Sequence, residues 1–92
     1  MSDSIRMRFL FKGRVQGVGF RYRATKYALA LGLTGWVKNT SDGSVVMEVQ
    51  GKKEVINQLL KKIHSSQYIR IDKMESSEIA LFTDEGFRVI YY

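Results

Sequence analysis

Cysteine and proline are both absent from this 92-residue chain, and histidine occurs once, at His64. Without cysteine the chain has no disulfide, no thiol nucleophile and no thiolate metal site. A zinc centre or a serine–histidine pair would need that single histidine, and neither a ligand cluster nor a supporting motif accompanies it. These absences exclude thiol chemistry and argue against hydrolysis by a metal ion or by an activated serine.

Long hydrophobic runs are also missing. No stretch approaches the length needed to cross a membrane, and Met1 to Ser4 carry no apolar segment typical of a secretory signal. We therefore expect no membrane association and a cytoplasmic location, with which the lack of cysteine agrees. The length suits one domain with a modest core, so we expect residues 1–92 to form a single domain. Nothing in the sequence requires a second copy, and we expect a monomer.

Acidic side chains are scarce in the first part of the chain. Residues 1–41 hold eight basic side chains and one acidic side chain, a net charge of +7. Residues 42–92 hold seven basic and eight acidic side chains, so the overall charge of +6 originates in the first part. Such a field attracts anions, either phosphorylated small molecules or nucleic acid, although a solvated basic surface without a ligand has the same composition.

Hydrophobic periodicity predicts five strands and two helices. Alternation or short apolar runs predict strands over residues 5–12, 35–39, 45–51, 68–75 and 87–92. Apolar residues spaced three and four apart predict helices over residues 21–31 and 52–64. The order β-α-β-β-α-β, built from two right-handed crossover units, predicts an α+β ferredoxin-like sandwich. In this fold both helices cover one face of an antiparallel sheet, and a short extra strand follows at the C-terminus.

A segment rich in glycine, here called the glycine loop, spans residues 13–21 between the first strand and the first helix. Its sequence is GRVQGVGFR, with three glycines within seven residues. Glycines allow consecutive backbone N–H groups to converge on an anion, and the following helix N-terminus adds partial positive charge. Arg21 can donate two parallel hydrogen bonds to phosphate oxygens. The composition fits a phosphate site, and it equally fits a tight turn whose glycines serve geometry alone.

Two longer motifs carry a resemblance to a known family. The first is Gly13-x-Val15-Gln16-Gly17-Val18-x-Phe20-Arg21, and the second is Gly35-Trp36-Val37-Lys38-Asn39-x-x-x-Gly43-x-Val45, followed by Gly51. In this order and spacing they resemble the two motifs of the acylphosphatase family, and the resemblance covers nearly the whole chain. Phe11 stands where that family usually has an aliphatic residue, and Gly19 where it often has a bulkier one.

The resemblance implies hydrolysis of acyl phosphates to a carboxylate and inorganic phosphate, without metal or cofactor, with phosphate as product and inhibitor. It implies two catalytic residues, Arg21 to bind the phosphate and Asn39 to hold the attacking water. The implied phosphate site is the loop backbone of Val15, Gln16, Gly17, Val18, Gly19, Phe20 and Arg21.

Several polar residues near these motifs also have structural interpretations. Asn39 equally suits the start of the turn at residues 40–43, in which Asp42 is the expected turn residue. Gln16 is expected to support the loop, and the hydroxyl of Thr25 to bond back to a helix carbonyl. An amide takes no proton and Arg21 stays charged, so the proton of the attacking water would pass to the phosphate of the substrate itself.

A binding module is the alternative to an enzyme. An RNA-recognition domain shares the order β-α-β-β-α-β and a basic, aromatic, glycine-containing stretch. Its aromatic residues lie on the third strand, whereas residues 45–49 here read VVMEV, with no aromatic residue and one acid. We therefore expect no nucleic-acid partner. A non-catalytic protein-interaction domain of the same family is the other alternative, against which the presence of both Arg21 and Asn39 argues.

Overall fold

The computed structural model describes residues 3–91, which form a five-stranded sheet covered by two helices. The strands are β1 (Ser4–Arg14), β2 (Thr34–Asn39), β3 (Val45–Lys52), β4 (Arg70–Ile79) and β5 (Phe87–Ile90); the helices are α1 (Phe20–Ala30) and α2 (Lys53–His64). The sheet order is β4-β1-β3-β2-β5. Strands β1 to β4 pair antiparallel, whereas β5 runs parallel to β2 and makes the sheet mixed. The predicted ferredoxin-like α+β fold is confirmed.

One hydrophobic core lies between the sheet and the helices. Alternate residues of the central strands face it, and the two helices, which contact each other, cover it. Its main members are Phe9, Phe11, Val37, Val45, Met47 and Val49 from the sheet and Ala24, Ala28, Ile56, Leu59 and Ile63 from the helices. Burial of each large side chain stabilises the fold by about 1.5–3 kcal/mol. Neither helix of the described residues is long and apolar enough to span a bilayer.

The core also holds both ends of the segment that connects β1 to α1. Val15 and Phe20 are only 1% and 2% exposed. The ring of Phe20 packs against Phe11 with ring centroids 4.9 Å apart, so the aromatic residue on β1 supports the start of α1. Gly17 and Gly19, between these anchors, are exposed. The core therefore fixes the ends of the glycine loop and leaves its centre facing solvent.

A buried arginine secures the connection between β4 and β5. Because these are the two edge strands, residues 80–86 pass from one edge of the sheet to the other. The guanidinium of Arg6 lies 2.8 Å from the carboxylate of Asp84 and 3.0 Å from that of Glu48. The N–H of Phe82 donates to Gln50 at 3.0 Å. Alternation along β1 places Arg6 on the solvent face, yet this connection leaves its side chain only 2% exposed.

Three strands differ from the predictions. The sequence predicts a first strand over 5–12, whereas β1 continues to Arg14, so the first two residues of the glycine loop pair with β4. The sequence predicts a fourth strand over 68–75, whereas β4 spans Arg70–Ile79. Residues 72–78 are all exposed, so no apolar alternation marks them, and backbone pairing with β1 alone defines the strand. The sequence predicts a last strand over 87–92, whereas β5 ends at Ile90, and Tyr92 lies outside the described residues.

Candidate active site

The glycine loop, α1 and the ends of β2 and β5 enclose an open cavity of about 480 Å³, here called the loop cavity. It is lined by Val15, Gly17, Gly19, Phe20, Arg21, Tyr22, Thr25, Lys26, Leu29, Asn39, Val89 and Tyr91. Arg21 and Asn39, which belong to different motifs, thus meet at the same cavity beside the loop glycines. Gln16 and Val18 are not among the lining residues, and Val18 borders a second cavity on the other side of the loop.

The backbone of the glycine loop is turned by two glycines. Gly17 and Gly19 have φ angles of 73° and 82°, which L side chains adopt only with strain. Gly19 is also the N-cap of α1, and no side chain caps the helix. The first turn of a helix leaves its N–H groups without intrahelical acceptors and carries partial positive charge. Since Phe20 and Arg21 open α1 and line the cavity, this end of the helix suits an anion.

Arg21 is held by an aromatic ring. It is the second residue of α1 and is half-buried, with its guanidinium carbon 5.4 Å from the ring centroid of Tyr91. A guanidinium near the face of an aromatic ring is attracted to the electrons of the ring. The contact therefore helps to hold Arg21 at the cavity. The sequence motifs do not indicate Tyr91, because its position depends on how β5 joins the sheet.

Gln16 connects the glycine loop to the turn that follows β2. Its side-chain amide nitrogen donates to the backbone carbonyl oxygens of Thr40 and Ser44, both at 2.8 Å. Gln16 thereby supports the loop, as the sequence interpretation expects. The turn begins directly after Asn39, so the two hydrogen bonds also fix the distance between the loop and the end of β2.

The turn at residues 40–44 is closed without the side chain of Asn39. The N–H of Thr40 donates to the carbonyl of Ser44 at 2.9 Å, the Thr40 hydroxyl donates to the carboxylate of Asp42, and the Ser44 N–H donates to Asp42 at 3.0 Å. Asn39 lines the loop cavity, and its buried Oδ1 atom has no hydrogen-bond partner in the protein. This oxygen is therefore an acceptor that the protein itself does not use.

Asp42 is a structural residue of this turn. Hydrogen bonds from the Thr40 hydroxyl, and then from Ser44, lower the pKa of Asp42 from 3.8 to about 2. The carboxylate is therefore ionised throughout the physiological pH range. Asp42 is exposed and is not among the residues that line the loop cavity, in agreement with its interpretation as a turn residue.

Thr25 differs from its expected role. Its hydroxyl does not bond back to a helix carbonyl; Oγ1 is buried and has no hydrogen-bond partner in the protein. Thr25 lies one helical turn after Arg21 and lines the same cavity, as do Tyr22, Lys26 and Leu29. Helical spacing from Arg21 is the sequence signal that could have identified this face of α1.

The polar groups at the cavity are amides, hydroxyls and cations, without a carboxylate among the described residues that line it. Within residues 3–91, no three histidine, cysteine, aspartate or glutamate side chains come together in a way that could hold a metal ion. The arrangement can bind an anion at the loop and at Arg21. It can also orient a small polar molecule at Asn39.

Comparisons with known proteins agree with this site. The acylphosphatase family model matches residues 7–89. An acylphosphatase of Geobacillus kaustophilus is 41% identical over 88 residues, covering 94% of each chain. The crystal structure of an acylphosphatase from Bacillus subtilis superimposes with a TM-score of 0.88 at 30% identity, covering 95% of this chain and 99% of that one. An acylphosphatase from Coxiella burnetii superimposes with a TM-score of 0.87 at 31% identity, covering 96% and 94%. Both motifs, the fold and these matches together place the chain in the acylphosphatase family of hydrolases.

Proposed function

We propose that this protein hydrolyses acyl phosphates, with the phosphate held by the glycine loop and Arg21 and the attacking water held by Asn39. The supporting observation is that Arg21, Gly17, Gly19 and Asn39 all line one cavity, and that the buried Oδ1 of Asn39 has no hydrogen-bond partner in the protein. One bound substrate can therefore contact all three parts of the site: an anion-binding loop, a charged hydrogen-bond donor and an acceptor for the attacking water.

Phosphate binding uses the backbone of residues 15–21 together with one guanidinium. The N-terminus of α1 contributes partial positive charge, and its first turn contains no acidic residue that would repel an anion. Arg21 adds a full charge and paired donors, and the ring of Tyr91 restricts its orientation. Lys26, also at the cavity, strengthens the positive field. These groups favour charge that develops on the phosphoryl oxygens during transfer.

Water attack needs no residue that changes its protonation state. Asn39 Oδ1 accepts one hydrogen of the water and so directs the water oxygen towards phosphorus. A bond forms between that oxygen and phosphorus, the bond from phosphorus to the acyl oxygen breaks, and the carboxylate leaves with the electron pair. Both hydrogens of the water finish on the phosphate, so the products are a carboxylate and dihydrogen phosphate.

The leaving group decides which substrates react. Among the described residues that line the cavity there is no histidine or carboxylic acid to protonate an alkoxide, whereas a carboxylate leaves without protonation. Acyl phosphates should therefore react and alkyl phosphate esters should be nearly inert. We propose that the reaction needs neither metal nor cofactor, since its charge stabilisation comes from the loop, Arg21 and the helix N-terminus.

The proposal also covers the catalytic domain, the oligomeric state and the cellular location of the protein. We propose that residues 1–92 act as one catalytic domain, as a monomer and in the cytoplasm. The core and the loop cavity use residues of one chain, so a single copy suffices for the proposed chemistry. The absence of cysteine is compatible with a reducing compartment.

RNA binding would use the face of the sheet opposite to the helices. On that face Arg6 and Arg8 both form ion pairs with Glu48, at 3.0 and 2.8 Å. Pairing with a carboxylate reduces the ability of these arginines to bind a phosphate backbone. We therefore retain hydrolysis as the proposed function.

Release of inorganic phosphate from benzoyl or acetyl phosphate, measured with protein treated with EDTA, tests the proposal. We expect turnover, competitive inhibition by inorganic phosphate, and little activity on p-nitrophenyl or alkyl phosphates. No release from either acyl phosphate would refute the function. Activity that vanishes in EDTA and returns with a divalent ion would refute the metal-free mechanism alone.

A further inference from the structure

Two buried polar atoms stand out within residues 3–91, Thr25 Oγ1 and Asn39 Oδ1. They are the only buried side-chain nitrogen or oxygen atoms of the described residues that have no hydrogen-bond partner. Thr25 lies on α1 and Asn39 at the end of β2, yet both line the loop cavity. The two unsatisfied polar atoms therefore belong to residues of one cavity, although those residues lie on different elements.

A hydroxyl at position 25 has no structural benefit in this arrangement. A buried polar group without a partner is unfavourable, because it gives up its hydrogen bonds to water. A valine has nearly the same shape as threonine and would avoid that penalty, because its second methyl group needs no partner. A molecule bound beside Thr25 would supply the missing partner of its hydroxyl.

We propose that Thr25 is a second water-positioning residue of the proposed hydrolysis, whose Oγ1 holds the same water as Asn39 Oδ1. This inference rests on the proposed function. Thr25 follows Arg21 by one helical turn, a spacing at which side chains are neighbours on a helix surface, with Cβ atoms about 5–6 Å apart. The hydroxyl is therefore carried on the same face of α1 as the arginine that binds the phosphate.

Two hydrogen-bond acceptors can fix the orientation of a water molecule, which one acceptor alone cannot do. A water that donates to Asn39 Oδ1 alone remains free to rotate about that hydrogen bond. When its second hydrogen is accepted by Thr25 Oγ1, both O–H bonds are fixed and a lone pair of the water oxygen points towards phosphorus. The hydrogen of the Thr25 hydroxyl remains available to donate to a phosphate oxygen. Neither Thr25 nor Asn39 gains or loses a proton, and the proton balance of the proposed reaction is unchanged.

Steady-state kinetics of Thr25→Val, Thr25→Ser and a control, Thr83→Val, test the proposal. Thr83 is exposed on the connection between β4 and β5 and does not line the cavity. We expect Thr25→Val to lower kcat by about tenfold or more, with an unchanged inhibition constant for inorganic phosphate. Thr25→Ser keeps the hydroxyl and should retain most of kcat, and Thr83→Val should behave as wild type. Thr25→Val should unfold at the same or a higher temperature, because it removes an unsatisfied hydroxyl.

A double-mutant cycle with Asn39→Ala asks whether the two residues act on one water. If they do, Thr25→Val should lower kcat much less in the Asn39→Ala background than in wild type. Fully additive losses would overturn the shared water.

A normal kcat for Thr25→Val, or an equal loss for Thr25→Ser, would also overturn the proposal. A loss of kcat that parallels weaker phosphate binding would overturn it too. Thr25→Ala replaces Thr25→Val in the same comparison if the valine variant does not fold. A wild-type protein that releases no phosphate refutes the proposed function itself, which separates the two failures.

Discussion

The side-chain amide nitrogen of Gln16 lies 2.8 Å from the carbonyl oxygen of Thr40, so the glycine loop is hydrogen-bonded to the residue that follows Asn39. The same nitrogen donates to Ser44 at 2.8 Å. One side chain thereby sets the position of the proposed phosphate site relative to the proposed water site. This relationship makes Gln16 a positioning residue, although it does not line the loop cavity itself.

Replacing Gln16 should affect both stability and turnover. Gln16→Leu removes two hydrogen bonds to carbonyl oxygens that keep donors within the turn, which should lower the free energy of unfolding by about 1–3 kcal/mol, or about 0.5–1.5 kcal/mol for each bond. We expect kcat to fall more than phosphate binding weakens, because the loop keeps its own N–H groups but loses its position relative to Asn39. Gln58→Leu, an exposed change on α2, is the matched control. A Gln16→Leu enzyme with normal kcat and stability would contradict the positioning role.

Arg21 should be needed for its geometry as well as for its charge. Arg21→Ala should remove measurable turnover and weaken inhibition by inorganic phosphate while the protein stays folded. Arg21→Lys should recover little, because an ammonium group neither binds two oxygens in one plane nor stacks in the same way on Tyr91. Arg88→Ala and Arg88→Lys, at an exposed position of β5, are the matched controls for the loss of one positive charge and for the exchange of a guanidinium for an ammonium group. Near wild-type kinetics for Arg21→Lys would show that charge alone suffices.

Gly17 and Gly32 offer a matched pair for testing the loop backbone. Their φ angles are 73° and 72°, and a Cβ atom on either would meet no protein atom within 4 Å. Valine at either position should therefore introduce a similar backbone strain of about 1–3 kcal/mol. Only Gly17 lines the loop cavity, so only Gly17→Val should abolish activity and phosphate binding. Kinetics, inhibition by phosphate and circular dichroism of both variants check this. Equal activity in the two variants would remove the loop backbone from the mechanism.

Replacing the side-chain amide of Asn39, even by the similarly shaped carboxylate of aspartate, should lower kcat strongly. Asn39→Ala should lose most of kcat while phosphate still inhibits, because the loop and Arg21 are intact. Asn39→Asp should be as poor or poorer, since the new carboxylate repels the phosphate and pairs with Arg21. The turn should survive both changes, because Thr40, Asp42 and Ser44 close it without Asn39. An Asn39→Asp enzyme with normal kcat would end the water-positioning role.

The turn itself should weaken in acid. The pKa of Asp42 is about 2 in the folded protein, below its ordinary value of 3.8. A lowered folded-state pKa means that the ionised carboxylate stabilises the fold fully above pH 3.8, and that this stabilisation is lost as the pH falls through about 2. Thr40→Val removes the largest cause of the shift and should raise the pKa of Asp42 towards 3.8. NMR titration of the Asp42 carboxyl carbon measures both values. An unchanged pKa in Thr40→Val would contradict the assigned cause.

The two motifs predict which residues form the candidate site. The structure brings Arg21, two of the loop glycines and Asn39 to one cavity, and their roles in binding phosphate and water stay predictions. Thr25 was misinterpreted, because threonine in a helix usually bonds to its own backbone, and the cavity that its hydroxyl reaches is formed by other elements. Tyr91 and Val89 could not be assigned to the site, because a short apolar run does not indicate its neighbouring strand.

The order of elements, the core-facing residues and the two family motifs follow from the amino-acid sequence alone, because periodicity and local backbone preference act over a few residues. Where β5 joins the sheet, and which residues close the cavity, is settled only in the folded chain. That decision depends on long-range contacts such as the buried pair between Arg6 and Asp84, which fixes the connection that leads from β4 across to β5. Contacts between residues so distant in sequence produce no periodic pattern in the sequence. Strand β4 also shows almost no hydrophobic alternation, because it is exposed along most of its length.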